Sequence, residues 1–268
     1  DYMHNNIEDY KDGACARNNF YKEQSSKYNK SYPDIHFLVG DVSKSILEEQ
    51  SIIDKRYSTL FNNLWNPNTT LDTMFSRNKF NIVSVMFATH YFFKSPSILD
   101  NFVKNISDNL QKGGYFIGCC FDGHKIFELL KSIPRNESKQ VYKNGNLMWK
   151  IIKDYREIQF PANNSSIGLP IKVFMNSINQ IIEEFLVNFE ILKSKLAAYN
   201  IIPLSPEEMK KTELPNVTGQ TSIGSFKDVY QFIRSSSPGS NYNKLSKDIK
   251  LTSEESELSF LFNYFIFK

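Results

Sequence analysis

The chain has 268 residues, of which 41% are hydrophobic and 23% charged, a composition typical of one large globular domain or of one domain with an inserted lobe. The formal net charge is only +3, so any contact with nucleic acid would use a local patch or groove and not a generally basic surface. The three cysteines, Cys15, Cys119 and Cys120, lack the spacing of a zinc site or a disulfide framework, so we expect no metal and a reducing compartment. The longest apolar runs are only strand-sized, so we expect no membrane segment.

The first part of the chain predicts a helix, a strand and a second helix. Apolar residues recur at helical spacing from Asn6 to about Lys27, despite Gly13. A short strand is predicted over Ile35–Val39, ended by Gly40-Asp41. The next helix is predicted from Ser43, as its N-cap, to about Leu64.

The stretch from Phe80 to Phe93 reads FNIVSVMFATHYFF. Its apolar, β-branched half, Ile82–Phe87, predicts a buried strand that continues into polar aromatic residues, and the next helix is predicted only after Pro96. In an open α/β sheet, ligands bind outside the carboxyl ends of the strands, so His90 and Tyr91 would face a site. The alternative is that both are interior side chains with satisfied hydrogen bonds.

The following segment alternates between helix and strand. A helix is predicted over Ser97–Leu110, a strand over Tyr115–Phe121 and a further helix over Gly123–Leu130. Strands and helices that alternate at this spacing are typical of a parallel, doubly wound sheet.

After Pro134 the pattern changes to that of an antiparallel lobe, followed by the completion of the sheet. The predicted elements are antiparallel strands over Val141–Lys153 (with a hairpin turn at Asn144-Gly145) and Tyr155–Phe160, a strand over Pro170–Phe174, a helix over Asn179–Tyr199, an exposed loop over Pro203–Gly224, a helix over Phe226–Arg234, a mobile loop over Ser235–Lys247 and a terminal strand over Leu258–Phe267.

Acidic or polar residues stand at three predicted strand ends, at Asp1, Asp41 and Phe87–Tyr91. An acidic residue at the end of the second strand of such a sheet suits the two hydroxyl groups of a ribose, because a carboxylate accepts two hydrogen bonds. An Asp at the next strand end can accept from the exocyclic amine of adenine. An Asp at a strand end is more often a turn residue or a helix cap, but together these residues suggest a ligand that contains adenosine.

Segments along nearly the whole chain resemble, in the family's order, the S-adenosylmethionine-dependent mRNA cap guanine-N7 methyltransferases. The resemblance is strongest to the C-terminal domain of the multifunctional capping enzymes of large DNA viruses. The segments are NNIEDYKDGACAR (Asn5–Arg17), FLVGDVS (Phe37–Ser43), FNIVSVMFATHYFF (Phe80–Phe93), GGYFIGCCFDG (Gly113–Gly123), EEFLVNFEIL (Glu183–Leu192) and FNYFIFK (Phe262–Lys268).

The resemblance implies an α/β fold of the class I S-adenosylmethionine-dependent methyltransferase type. Such a fold has a Rossmann-like, doubly wound sheet that is mostly parallel with an antiparallel last strand, here with a small inserted antiparallel lobe. Residues 1–134 would bind S-adenosylmethionine, and residues 135–268 would form the cap-binding insertion and complete the sheet. If the protein is viral, the resemblance implies a cytoplasmic location, in a viral factory or the virion.

The same resemblance assigns roles to individual residues. On the donor side, Asp1 would hold the ribose, Asp41 and Val42 would contact the adenine, and Phe87 would lie close to the donor. On the acceptor side, the residues implied for the cap guanine are His90, Tyr91, Glu184 and Tyr264, of which His90 and Glu184 would form hydrogen bonds and Tyr264 would help to enclose the base. For Glu184 the alternative is a solvated residue on the predicted helix.

The chemistry of this reaction fits these residue types. Methyl transfer to guanine N7 needs the nucleophile and the donor in line, and N7 carries no proton to remove, so we expect no catalytic base and no metal. Proximity, orientation and electrostatics would supply most of the rate. A carboxylate such as Glu184 can accept from guanine N1–H and the 2-amino group, which selects guanine over adenine.

Some features of the family pattern differ or are missing. The glycine-rich turn that closes around the methionine half of the donor is expected before Asp1, so we expect the chain to be part of a longer polypeptide. Met86 stands where many relatives have Gln, which removes a hydrogen-bonding group near the donor.

The expected partners are GpppN-ended RNA and upstream triphosphatase and guanylyltransferase domains or subunits. Two alternatives to a cap methyltransferase remain at this point. One is a catalytically incomplete domain of the same fold that serves as a scaffold or stimulates a capping complex. The other is a methyltransferase of the same fold that acts on another substrate.

Overall fold

The computed structural model describes residues 13–28, 30–33, 35–46, 51, 55–59, 79–212, 221–236 and 248–268. The chain divides into two compact units, residues 1–78 and 79–268, and each unit is described by itself. The division predicted at residue 134 therefore stays a prediction.

In the first unit, the predicted N-terminal helix is confirmed over α1 (Ala14–Lys27), and the rest of its predicted length lies outside the described residues. Gly13 is the N-cap of α1, with extended backbone angles, and its carbonyl accepts from Arg17 N at 3.1 Å. The glycine therefore marks the start of the helix and is not an interior residue.

The strand predicted over Ile35–Val39 is wrong for the part of the chain that the structure describes. These residues join no ladder there, and Gly40 makes only an isolated bridge. Residues with a high strand propensity form a strand only when a neighbouring strand pairs with them. Just after this segment, the N–H of Asp41 donates a hydrogen bond to Ser51 O at 2.7 Å. Ser43 lies in a turn and starts no helix, whereas Lys55–Tyr57 form a 3₁₀ turn. Most of the predicted helix that starts at Ser43 lies outside the described residues.

The second unit contains two sheets and the helices that pack on them. Its elements are β1 (Phe80–Met86), α2 (Thr89–Phe92), α3 (Pro96–Asn109), β2 (Leu110–Phe121), α4 (Gly123–Leu129), β3 (Ser138–Lys143), β4 (Asn146–Lys153), β5 (Pro170–Met175), β6 (Gln180–Phe185), α5 (Phe189–Ala197), α6 (Pro206–Lys211), β7 (Ile223–Ser225), α7 (Phe226–Ser235), α8 (Ser253–Ser259) and β8 (Phe262–Phe267).

The main sheet has the strand order β1-β2-β8-β7. Strands β1 and β2 are parallel and are joined through α3, while β8 runs antiparallel to both β2 and β7. A parallel pair linked by a helix, with an antiparallel last strand, is the predicted architecture. Helix α3 starts where Ser95 accepts from Ile98 N at 3.4 Å and Pro96 occupies its first turn, both of which are typical of a helix start.

One core lies between the main sheet, α3 and α5. Its buried residues include Leu99, Phe102, Phe116, Leu192 and Phe265. Phe102 and Phe116 pack edge to face at 6.2 Å between ring centroids. The apolar residues of α3 recur every three or four positions, so the predicted helical period gives the face that packs here.

The second sheet, β3-β4-β5-β6, is antiparallel throughout and forms the predicted inserted lobe. Its hairpin turn is Asn144-Gly145, as predicted, with φ of 52° and 81°, because this turn type needs positive φ at both residues. The inner face of this sheet forms a second core with α4 and the ends of β2 and β8. That core includes Phe121, Phe127, Trp149, Ile171 and Phe262.

The strand predicted over Tyr155–Phe160 is wrong. Tyr155 is a buried core residue whose ring stacks on Phe127 at 5.1 Å, and Asp154 is held by Arg135 and Lys172, both at 3.0 Å. Ile158 is 83% exposed, so the apolar residues of this segment share no sheet face. Side-chain contacts, and not hydrogen bonds to a neighbouring strand, hold this segment in position.

The helix predicted over Asn179–Tyr199 is wrong in its first half and confirmed only over α5. Asn179 adopts φ of 55° in a turn, and the chain then forms β6. Asn188 caps α5 by accepting from Glu190 N at 3.0 Å and from Ile191 N at 3.3 Å. The apolar residues before this cap fit a strand as well as a helix, and the two Asn residues mark the true boundaries.

Two short helices were not predicted. Helix α6 lies within the predicted loop Pro203–Gly224, and α8 takes up the start of the predicted strand Leu258–Phe267. Both begin with a capping box, formed by Ser205 with Glu208 and by Thr252 with Glu255, a signal that can be read from sequence. The helix predicted over Phe226–Arg234 is confirmed as α7. Residues 213–220 and 237–247 of the two predicted loops lie outside the described residues.

None of the helices within the described ranges has both the length and the apolar character that a membrane span requires.

The closest packing of the main sheet offers a test of this topology. A methyl group on Gly118 would overlap the Val85 carbonyl on β1 and the Phe265 ring on β8. We expect Gly118→Ala to lower the free energy of unfolding by about 3 kcal/mol, measured by urea denaturation of the full chain.

Gly113→Ala is the matched control, because Gly113 has φ of 80° but open space around it. In Gly113→Ala we expect the free energy of unfolding to fall by only about 1 kcal/mol, because alanine is strained in this left-handed backbone conformation. Equal losses in the two variants would contradict the sheet register described above.

Candidate functional site

The chain turns sharply at the end of β1. Phe87 has φ of 56°, in the left-handed region that costs a non-glycine residue about 1–2 kcal/mol, and its N–H donates to Cys119 O at 2.8 Å. This turn leads directly into α2, so the prediction that no helix precedes Pro96 is wrong. As a result, Thr89 and His90 are directed into the protein.

His90 and Glu184 form a buried polar pair. They are 4% and 6% exposed, and His90 Nδ1 lies 3.7 Å from Glu184 Oε2, which is too long for a hydrogen bond. Within the described residues, both ring nitrogens of His90 and the Oε2 atom of Glu184 lack a hydrogen-bond partner. Buried polar atoms without partners are rare in folded proteins and costly.

Burial sets the charge of this pair. It lowers the pKa of His90 to about 4 and raises the pKa of Glu184 to about 8, because removal from water disfavours the charged form of each group. At neutral pH both side chains are therefore neutral. The pair therefore consists of two neutral polar groups and is not an ion pair.

The structure brings three of the predicted guanine-binding residues together. Tyr91 is 41% exposed, and its ring lies 4.2 Å from that of His90 at an interplanar angle of 65°. Glu184 reaches them from β6 and not from the predicted helix, so the expectation of a helical Glu184 is wrong. Because it faces inward opposite Ile171, it is also not the solvated residue of the alternative interpretation, whereas the neighbouring Glu183 is exposed.

Tyr264 lies on the other face of the main sheet. Thr89 and Glu184 are near enough to Cys120 to affect the pKa of its thiol, while Tyr264 pairs directly with Cys119. Successive residues of a strand point to opposite faces, so the side chains of Cys119 and Tyr264 project from one face of the sheet and that of Cys120 from the other. The Tyr264 hydroxyl donates to Thr221 O at 3.1 Å. A contact of Tyr264 with guanine therefore stays a prediction.

Phe87 lies at the carboxyl end of β1, as predicted. Its ring is 52% exposed and makes edge contacts with Phe262 at 5.2 Å and Phe226 at 6.4 Å. An exposed aromatic ring on a strained backbone at the carboxyl edge of a sheet is typical of a ligand site, and its contact with a donor stays a prediction.

In the first unit, Asp41 is the centre of a local turn. Its Oδ1 accepts from Ser43 N at 3.0 Å and from Ser43 Oγ at 2.6 Å, and Lys44 Nζ lies 3.5 Å from Oδ2. Burial alone would raise the pKa of Asp41, but the bonds from Ser43 and the nearby Lys44 ammonium outweigh it, so the pKa is lowered. Asp41 is thus an ionised turn residue beside Val42, which is 40% exposed. Asp1 lies outside the described residues.

Lys125 is a structural centre that sequence reasoning missed. Its ammonium donates to Asn263 Oδ1 at 2.7 Å, to Ser225 Oγ and Phe260 O at 3.0 Å, and to Phe262 O at 3.5 Å. The acceptors are at least 100 positions away along the chain, so no local pattern could identify it. Thr89 was also missed, because a buried hydroxyl cannot be distinguished from an exposed one by residue type.

The described residues of the second unit line two clefts beside the main sheet. One, of about 810 Å³, is bordered by Lys125, Gly224 and α7, and the other, of about 510 Å³, by Asp122, His124 and the start of α5. His90 and Glu184 line neither of them. Over the described ranges, no three His, Cys, Asp or Glu side chains are close enough to hold a metal ion.

Comparison with known proteins places these residues in a family. The sequence model of the mRNA (guanine-N(7))-methyltransferase domain matches residues 6–268. The chain belongs to this family. Membership confirms the family suggested by the sequence motifs and, with the sheet and lobe described above, the predicted α/β class I methyltransferase fold.

Individual relatives of this methyltransferase domain are more distant. A probable mRNA-capping enzyme of Acanthamoeba polyphaga mimivirus is 27% identical over 71% of this chain and 17% of its own length. An mRNA cap guanine-N(7) methyltransferase of Aspergillus niger is 26% identical over 46% of this chain and 19% of its own length. The domain thus matches less than a fifth of the length of either relative.

Among solved structures, an S-adenosylmethionine-dependent methyltransferase from Clostridium acetobutylicum is 12% identical and covers 76% of this chain and 87% of its own, with a TM-score of 0.35. This similarity is too slight to support an inference about the methyltransferase domain.

The neutral pair makes the stability of the methyltransferase domain depend on pH. In the unfolded chain, Glu184 and His90 titrate near 4.5 and 6.5, against about 8 and about 4 when folded. Between pH 4.5 and 6.5 both states hold one proton on the pair, so its contribution to stability does not change. Between pH 6.5 and 8 only folded Glu184 keeps its proton, so the contribution falls as pH rises.

We therefore expect the free energy of unfolding of the ligand-free chain to fall by about 2 kcal/mol between pH 6.5 and 8, at about 1.4 kcal/mol per pH unit. Urea denaturation at both pH values measures it, and the same comparison in Glu184→Gln should lack this fall. An unchanged pH dependence in Glu184→Gln would show that Glu184 is not protonated in the folded protein.

Proposed function

We propose that this domain transfers a methyl group from S-adenosylmethionine to N7 of the guanine in the GpppN cap of mRNA. The observation that carries the proposal is the buried pair His90–Glu184 with its unpaired polar atoms. A base that supplies the missing hydrogen bonds would remove the cost of leaving these atoms unpaired.

Guanine has the complementary edge. Its N1–H and 2-amino groups are adjacent donors that suit the two oxygens of the Glu184 carboxylate, and its O6 accepts from the N–H of a neutral His90. Adenine presents an acceptor at N1 and no 2-amino group, so it would leave the carboxylate without partners. The exposed ring of Tyr91 offers an aromatic surface beside His90.

Positioning accounts for the reaction without a catalytic base. S-adenosylmethionine, when bound, supplies a methyl group on a positively charged sulfur, and the lone pair of guanine N7 forms the new bond. Because N7 carries no proton, no side chain has to remove one, and orientation of the base supplies most of the rate. The ionised Glu184 would also stabilise the positive charge that develops on the guanine ring.

The described residues on the donor side fit S-adenosylmethionine. Asp41 is ionised and can accept from the adenine amine beside the exposed Val42, and the half-exposed Phe87 ring offers an apolar contact. Asp1, assigned to the ribose by the resemblance, lies outside the described residues. Asp41 and Phe87 belong to different units, so their roles are proposed separately.

A scaffold without activity is the less favoured reading. A domain that only supports a complex has no use for a buried Glu and His without partners, since an apolar pair would be more stable there. The likeness to a viral protein named as a probable mRNA-capping enzyme supports capped RNA as the substrate, and triphosphatase and guanylyltransferase domains or subunits as partners.

Substitution of the acceptor carboxylate tests the proposed function. We expect Glu184→Gln in the full-length protein to lower kcat/KM for a GpppG cap analogue about 100-fold, because two charge-assisted hydrogen bonds are weakened. The KM for S-adenosylmethionine should change little. Transfer of a radioactive methyl group to the cap analogue measures both constants.

Glu183→Gln is the matched control, because it makes the same chemical change one residue away on the exposed face of β6. It should keep the activity of the unsubstituted protein. Undiminished cap methylation in Glu184→Gln would refute the guanine pocket, and a complete lack of transfer to cap analogue by the full-length protein would refute the proposed function.

The raised pKa of Glu184 gives a second test. Guanine needs the carboxylate form, so binding must release a proton at any pH below about 8. The dissociation constant for the cap analogue should fall about tenfold per pH unit towards pH 8 and then level off. Calorimetry in two buffers of different ionisation enthalpy should detect the released proton, and a pH-independent affinity would contradict this assignment.

A further inference from the structure

Three aromatic rings meet at the strained turn after β1. The Phe87 ring makes edge contacts with Phe262 at 5.2 Å and Phe226 at 6.4 Å, and these last two rings stack on each other at 5.8 Å. Phe262 is buried and also stacks on Phe121 at 4.0 Å. The half-exposed Phe87 ring therefore rests on two supporting rings, one from β8 and one from the start of α7.

The turn at Phe87 depends on such support. A φ of 56° is unfavourable for a residue that has a side chain, and a strained backbone persists only where the surrounding structure holds it. Whatever holds the two supporting rings in place therefore also determines where the Phe87 ring lies.

Lys125, on α4, binds the segment that carries the first supporting ring. Its ammonium donates to Phe260 O at 3.0 Å and to Asn263 Oδ1 at 2.7 Å, and it lies 3.5 Å from Phe262 O. Asn263 Nδ2 donates in turn to Asp122 Oδ2 at 2.7 Å. The backbone on both sides of the Phe262 ring is thus bound to the start of α4.

The same ammonium binds the segment that carries the second supporting ring. It donates to Ser225 Oγ at 3.0 Å, and Ser225 directly precedes Phe226. Ser225 Oγ also accepts from Lys227 N at 3.1 Å as the N-cap of α7. Lys125 therefore holds the first turn of α7 at the residue that starts this helix.

The bonds of Lys125 favour a role inside the protein over one in ligand binding. A lysine ammonium has three N–H donors, and the three shortest contacts of Lys125 use all of them. Although Lys125 borders the larger cleft, it has no N–H left to offer a ligand there. Its bonds to two segments that are distant along the chain instead keep Phe226 and Phe262 together.

We propose that Lys125 is a positioning residue for the methyl donor, because it holds Phe226 and Phe262 against the Phe87 ring that is assigned to the donor. This inference rests on the proposed function. Lys125 contacts neither substrate in this assignment and acts only through the three rings. Without its bonds the supporting rings would separate, and the Phe87 ring would lose the position in which it contacts S-adenosylmethionine.

Donor affinity of the full-length protein tests this role. Lys125→Met removes the hydrogen bonds and keeps most of the side-chain volume, and we expect it to weaken S-adenosylmethionine about fivefold. Phe87→Ala should weaken it about tenfold. In the Phe87→Ala background, Lys125→Met should change the dissociation constant less than about twofold, because no ring remains to be positioned. Isothermal titration calorimetry with S-adenosylmethionine alone measures all four proteins.

Lys153→Met is the matched control for a purely structural effect. The Lys153 ammonium is also held inside the protein, where it donates to Leu130 O at 3.2 Å and lies over the Tyr155 ring, but among the described residues it bonds to neither β7 nor β8. Both Lys→Met variants should lower the free energy of unfolding, measured by urea denaturation. Only Lys125→Met should weaken S-adenosylmethionine, and Lys153→Met should bind it within about twofold of the unsubstituted protein.

Three results would overturn the proposal. The first is a Lys125→Met variant that binds S-adenosylmethionine as tightly as the unsubstituted protein. The second is a loss of affinity from Lys125→Met that is equal with and without the Phe87 ring, and the third is an equal loss in Lys153→Met. None of these results bears on the proposed function, which fails only if the unsubstituted protein does not methylate the cap analogue.

Discussion

A carboxyl group buried in apolar surroundings stays protonated near neutral pH unless hydrogen-bond donors or a cation accompany it. In this methyltransferase domain Glu184 is buried beside a neutral His90, and within the described part of the chain neither ring nitrogen of His90 nor Oε2 of Glu184 has a hydrogen-bond partner. The two side chains stay together because the two cores hold the elements that carry them. His90 lies on α2 beside the main sheet, and Glu184 lies on β6 in the lobe. The strained Phe87 turn sends His90 inward, and the Asn179 turn lets β6 present Glu184. The backbone strain and the desolvation of the pair thus both lower the stability of the fold, and together they keep the two polar side chains side by side.

Strand alternation organises the rest of the site. Cys119 and Cys120 are neighbours in sequence, yet their side chains belong to opposite faces of β2. Cys120 is near enough to Glu184 for the pKa of its thiol to be affected, whereas Cys119 pairs with Met86 and Tyr264.

The sequence predicts those parts of the fold that have strong local signals, such as a helix cap or a turn dipeptide. The Pro96 helix start, the Asn144-Gly145 turn and the β1-α3-β2 order follow from such signals. Strand β6 was mistaken for a helix because Ile181, Ile182 and Phe185 fit both periods. That His90 and Glu184 would share a site came from the family resemblance, since no spacing relates residues 94 positions apart. The inward turn at Phe87 and the contacts of Lys125 depend on tertiary packing, which the sequence does not display.

The lobe is inserted between α4 and α5, and it carries Glu184 on its last strand. His90 and Tyr91, in contrast, lie on α2 beside the main sheet, and Phe87 lies in the turn after β1. The residues proposed for guanine therefore come from two parts of the chain, whereas Phe87 belongs to the main-sheet part alone. In evolutionary terms, changes in the lobe can alter the contribution of Glu184 while the turn that carries Phe87 stays the same. A fold divided in this way can acquire new substrates without rebuilding its methyl-transfer chemistry.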